Sequence, residues 1–138
     1  MVELTKADLI WNRACEGEAA SPLSGDRALA AMLAFHSVAM NGGALHALEC
    51  LELQRLEAAA SGYRYFGLDG VADLLNEAKS ALKIGDDGLD FWHTEDDLLE
   101  FWEAELDRRY GALVPDDSAL AERFELAFRR NPSEFAPL

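Results

Sequence analysis

The chain is short of positive charge, of cysteine, of proline and of long apolar runs. Its 138 residues hold 12 Lys and Arg against 26 Asp and Glu, a formal net charge of −14. A surface of that sign repels phosphates, which argues against direct contact with DNA, RNA or an anionic membrane. It favours a partner that is itself positively charged. The two cysteines, Cys15 and Cys50, make no Cys-x-x-Cys and are too few for a disulfide framework. They are expected as reduced, buried, small apolar groups. The longest apolar run, Ala28 to Phe35, falls far short of the roughly 20 residues that span a bilayer. Met1-Val2-Glu3-Leu4-Thr5 has neither the basic start nor the apolar stretch of a secretory signal. A cytoplasmic protein is the expectation.

What is present is a globular composition. Half the residues are hydrophobic (50%), which excludes a disordered acidic tail. The length is that of one domain, here residues 1–138. Val and Ile are scarce while Ala, Leu and Glu are abundant, and no segment alternates with the period of a strand. Turn residues divide the chain into helices. Thr5-Lys6-Ala7-Asp8 reads as a capping box opening a helix to about Glu18, broken by Ser21-Pro22. A second helix starts near Asp26 and stops at Asn41-Gly42-Gly43. A third runs from Ala44 to Ala60 and stops at Ser61-Gly62. A fourth spans Gly70 to Lys83, ending at Gly85, and Asp86 to His93 form a loop. Thr94-Glu95-Asp96-Asp97 reads as another capping box, opening a fifth helix to about Tyr110. A sixth covers Asp116 to Arg130. The second helix is apolar nearly all round, interrupted by Arg27, His36 and Ser37, and such a helix is surrounded by others. The expected fold is all-α, a single-domain bundle of five to seven helices around that central apolar helix.

Three stretches, in order, carry a likeness to a known family. They are His36-Ser37-Val38-Ala39-Met40-Asn41-Gly42-Gly43, then Tyr63-Arg64-Tyr65-Phe66-Gly67-Leu68 with Val71-Ala72-Asp73-Leu74-Leu75, then Arg129-Arg130-Asn131-Pro132-Ser133-Glu134-Phe135. Over roughly residues 30–135 the chain resembles the domain-of-unknown-function family that includes the DNA-mimic protein (DMP) type. The resemblance implies a mostly helical bacterial protein. It also implies a function in which surface carboxylates stand in for phosphates and occupy a DNA-binding protein. Ala44, Leu45 and His46 stand where that family usually has aromatics, and no binding residue is carried over from it.

The acids themselves are the most informative feature. Asp86, Asp87, Asp90, Glu95, Asp96, Asp97, Glu100, Glu103, Glu105 and Asp107 follow one another with no Lys or Arg between. On a helix, Asp96, Glu100, Glu103 and Asp107 share one face. They recur about every 4.5 to 6 Å along the axis, a pitch broadly like that of a nucleic-acid strand. Acids near a helix N-terminus favour the dipole, and charge runs are often only solvated. Neither accounts for the lack of cations, since like charges four apart repel. These four residues, with Asp86, Asp87 and Asp90, are the expected partner-binding set.

The other residues have structural readings. Phe91 and Trp92 are expected to pack and close the bundle. Asn41, Gly42 and Gly43 form a structural turn, with glycine supplying a left-handed cap. His36 is read as a satisfied core histidine and His93 as loop. His46 and Cys50 are four apart but lack a third ligand, so no metal is expected. No phosphate loop, His-Glu-x-x-His, Gly-x-Ser-x-Gly or Glu-x-x-His motif is present. No cofactor and no catalytic residue are expected. The function expected is a non-catalytic acidic binding protein whose partner is a basic surface on a transcription regulator, nucleoid protein or toxin. The alternatives are an immunity protein neutralising a toxin, or a small enzyme of uncharacterised activity.

Overall fold

Thr5 opens the first helix as its sequence requires. Its hydroxyl accepts from the Asp8 amide at 3.1 Å while the Asp8 carboxylate accepts from the Thr5 amide at 2.9 Å. The computed structural model describes residues 5–16, 23–90 and 92–137. Within them lie α1 (Lys6–Cys15), α2 (Ser24–Gly42), α3 (Ala44–Cys50), α4 (Leu53–Tyr65), α5 (Asp69–Ala81), α6 (Asp96–Leu113) and α7 (Asp117–Arg130), then a short 3-10 turn at Pro132–Glu134. The described residues contain no strand, only an isolated bridge between Gly85 and Gly88. The fold is a single all-α domain. The expected end of the first helix near Glu18, and the break at Ser21-Pro22, lie outside the described residues.

The apolar second helix is the centre of the bundle. α2 packs against α1, α3, α4 and α7, most extensively against α4. Leu29, Met32 and Phe35 are completely buried, and Tyr63, Leu74, Leu106 and Leu120 of α4, α5, α6 and α7 join them in one core. Gly62 makes the α2–α4 approach possible. A Cβ there would sit 2.5 Å from the Ala28 carbonyl oxygen, inside contact distance.

Several boundaries differ from expectation, each for a local reason. The helix expected over Ala44–Ala60 is two helices. Leu51 and Glu52 are extended (ψ 138° and 155°), which turns Leu51 into the core without any glycine or proline to signal it. Ser61-Gly62 does not stop a helix but lies inside α4. α5 ends at Ala81, earlier than expected, in a cap whose left-handed residue is Lys83 (φ 54°). The Lys83 amide bonds Ser80 O at 3.2 Å and the Ile84 amide bonds Lys79 O at 3.0 Å, a Schellman pattern with lysine where glycine is usual. Thr94 does not cap α6. Its hydroxyl donates to the Asp90 carbonyl, and Glu95 occupies the cap position. α6 then continues past Gly111 to Leu113.

The turn expected at Asn41, Gly42 and Gly43 is confined to Gly43, because Asn41 and Gly42 continue α2, and it is not left-handed α. Gly43 has φ 94° and ψ 159°, a region open essentially to glycine alone. Its amide bonds Ala39 O at 2.7 Å.

A charged clamp holds the two ends of the described chain together. Asp26 on α2 is buried (4% exposed). It accepts from Arg13 of α1 at 2.8 Å and from the Ala136 amide at 2.7 Å, and Arg13 also reaches the Ala136 carbonyl at 3.1 Å.

Candidate interaction surface

α6 is amphipathic in an unusual sense: one flank is core and the next is carboxylate. Trp102, Leu106 and Tyr110 are buried, with Leu99 half-buried beside them. Asp96, Glu100, Glu103 and Asp107 are all exposed. Eleven residues at 1.5 Å rise give the row a length of about 16 Å. Asp86, Asp87 and Asp90, in the loop before the helix, are exposed as well.

The distribution of cations sharpens this surface. Arg108 bonds Glu105 through two nitrogens, at 2.7 and 3.0 Å, and Arg109 crosses to Glu77 of α5 at 2.8 Å. Arg64 is engaged with Asp73 at 2.7 Å, and Lys79 with Glu57 at 3.7 Å. The acids of the row are left uncompensated: among the described residues, Asp86, Asp87, Asp96, Asp97, Glu100 and Glu103 have no cation within 4.0 Å. Asp107 differs from its neighbours on the row. It accepts from the Ala44 amide at 3.3 Å, placing negative charge at the N-terminus of α3 and tying the row to the glycine turn.

The loop before α6 is built around Asp90. Its carboxylate accepts from the His93 amide at 3.2 Å and meets His93 Nδ1 at 2.7 Å. The His93 ring, together with the backbone amide, holds the Asp90 carboxyl below its usual range. This turn presents Trp92, whose side chain is 95% exposed. The expectation that Trp92 packs into the bundle is therefore corrected: the Asp90 turn directs the indole outward. Phe91 lies outside the described residues. Phe101 on α6 is a second aromatic in solvent, 55% exposed, meeting among the described aromatic rings only Trp102, edge-on.

A polar chain that sequence reading missed runs from the buried Tyr63 through Tyr110 and His36 to the exposed Asp117. Tyr63 and Tyr110 hydroxyls are 2.6 Å apart, Tyr110 Oη is 2.7 Å from His36 Nδ1, and His36 Nε2 is 2.7 Å from Asp117. An ionised carboxylate only accepts, so Nε2 donates to Asp117; with the imidazole neutral, Nδ1 then accepts from Tyr110 and Tyr110 from Tyr63. Burial, first of all, pushes both phenols above their ordinary value. His36 is thus a satisfied core histidine, as expected, and the chain locks α6 to α2, α4 and α7.

The remaining polar features among the described residues are a cleft and two cysteines. A cleft of about 510 Å³ opens between α1, α2 and the start of α4, lined by Trp11, Cys15, His36, Asn41, Arg55 and Asp117 among others. Both ring nitrogens of His36 are engaged, and partial burial with the nearby Asp117 carboxylate pushes the Cys15 thiol up. Cys15 and Cys50 are free but exposed, which corrects their expected burial. Cys50 lies 3.4 Å from the His46 ring. Among the described residues no three His, Cys, Asp or Glu side chains are grouped to hold a metal, and no helix is long and apolar enough to cross a membrane.

A family model described as DMP19-like protein matches residues 22–131, which takes in every helix from α2 to α7. The chain belongs to the DMP19-like family. The uncompensated row on α6 falls wholly inside the matched segment. No curated protein and no solved structure matches the chain.

Proposed function

We propose that this DMP19-like protein is a non-catalytic DNA mimic that occupies the basic, nucleic-acid-binding face of a regulator or nucleoid protein. Asp96, Glu100, Glu103 and Asp107, with Asp86, Asp87 and Asp90, stand in for phosphates. The observation that carries this reading is the separation of charge. The two arginines of α6, Arg108 and Arg109, are engaged by Glu105 and Glu77, while among the described residues the exposed acids of the row have no cation partner. Such a surface steers a cationic partner and makes the encounter salt-dependent. The polar chain through Tyr110 supports the same reading, because a mimic must hold its charges at fixed positions before contact.

The test is a tagged pull-down from host lysate at low and physiological salt, followed by competition. The recovered protein should be a nucleic-acid binder, released as salt rises, and its DNA complex should be displaced by the native protein. The triple variant Asp96→Lys, Glu100→Lys and Glu103→Lys should lose both effects while keeping its helical circular dichroism. A variant that still displaces the DNA with the same salt dependence would end the proposal.

A further inference from the structure

We infer that Trp92 is the arginine-selective anchor of this surface, a contact that rests on the proposed function for the class of its partner. Tryptophan is highly buried on average in folded chains, yet the Trp92 indole is 95% exposed. It does not hang from a slack loop. The Asp90 carboxylate holds the His93 amide and ring, and the Thr94 hydroxyl closes back on the Asp90 carbonyl, so Trp92 sits between two fixed points. The backbone that carries the indole is thus set before contact, and a tryptophan has only two side-chain torsions to fix on binding, which suits it to act as an anchor.

The surroundings fix what it anchors. Trp92 lies in a stretch, residues 86–107, that has ten acids and no lysine or arginine. The negative face of the indole ring and the carboxylates around it attract the same thing, a cation. Their preferences differ in kind. Both groups attract either cation, but the flat indole also stacks face to face on the flat guanidinium, whereas an ammonium group meets the ring only as a point charge. The acid row therefore recruits, and Trp92 selects arginine-rich faces over lysine-rich ones.

The test uses nona-arginine and nona-lysine peptides, equal in charge, titrated against the whole protein at low salt. Binding is followed by calorimetry and by indole emission, to which Trp92 contributes the solvent-facing fluorophore while Trp102 is buried and Trp11 half-buried. Trp92→Ala should weaken nona-arginine about fivefold, equivalent to about 1 kcal/mol, and weaken nona-lysine clearly less. Trp92→Phe should restore part of the difference. Equal affinities for both peptides in the native protein, or an unchanged ratio in Trp92→Ala, would overturn the anchor while leaving the acidic face intact. If neither peptide binds the native protein, the proposed function and the anchor fall together. Because the indole is in solvent, the alanine variant should keep the native melting curve, and that curve is the control for folding.

Discussion

Removing one hydroxyl from Tyr110 should cost more than removing one from Tyr63, although both are buried tyrosines in the same chain. Tyr110 bridges: it accepts from Tyr63 and donates to His36. Tyr63 only donates, at the far end. Tyr63→Phe leaves Tyr110 still bonded to His36 and should cost about 1 kcal/mol, the net worth of one hydrogen bond. Tyr110→Phe strands the Tyr63 hydroxyl and His36 Nδ1 together. At about 1–3 kcal/mol for each buried group left unpaired, the loss is about 3 kcal/mol. At about 2 cal/mol/K per residue, unfolding this chain carries about 0.3 kcal/mol/K, so the melting temperature should drop by about 10 °C. The double variant is the sharper case. With Tyr63 already a phenylalanine there is one stranded group in place of two, so Tyr63→Phe should be neutral or stabilising in the Tyr110→Phe background. Urea and thermal melts followed by circular dichroism give all three numbers. Additive losses in the double variant, or equal losses in the two single ones, would refute the one-way chain.

Four further outcomes follow from the geometry. Glu100→Lys sits three and four residues from Glu103 and Asp96, so it should raise stability by about 0.5 kcal/mol while weakening binding to a basic partner; a fall in both would mean the row is part of the fold and not a site. Gly62→Ala and Gly111→Ala should move melting temperature in opposite directions, because a Cβ on Gly62 meets the Ala28 carbonyl at 2.5 Å while Gly111 faces open space. The first adds an overpacking cost of about 1–3 kcal/mol and the second gains about 1 kcal/mol of helix propensity. Lys83→Gly should stabilise by about 1 kcal/mol by relieving the left-handed lysine at the end of α5, and an unchanged denaturation midpoint would argue against strain there. Alkaline titration should show Tyr63 and Tyr110 resisting ionisation. Their folded values lie above the ordinary 10.0, so their contribution to stability is complete below that pH and is lost as pH rises beyond it. Full phenolate absorbance at about pH 10 with intact helical dichroism would contradict this.

What could be read from the sequence was whatever is encoded by local spacing. The Thr5 capping box, the all-round apolar α2 and the exposed row on α6 all depend on neighbours three or four residues apart. What could not be read depends on contacts between distant segments. Leu51 and Glu52 break a helix without a breaker residue because Leu51 gains a place in the core. Thr94 has the sequence of a cap, yet its hydroxyl is spent on Asp90. The polar chain joins residues 47, 74 and 81 positions apart, a relation no periodicity contains. Hydrophobicity alone places Trp92 inside; the Asp90 turn that holds it outside is a matter of three-dimensional geometry.

The clamp at Asp26 has a consequence for how the molecule opens. α1 reaches that carboxylate through Arg13 and the tail reaches it through the Ala136 amide, and Arg13 and Ala136 also hold each other. Neither segment can detach while the other stays, because a nearly buried carboxylate would be left half-partnered in an apolar setting. The two outermost segments of the described chain, 110 positions apart at Asp26 and Ala136, therefore open and close as one cooperative unit. Amide exchange in α1 and in the 135–137 tail should share a single rate, slower than fraying and faster than the helices that α2 gathers around itself.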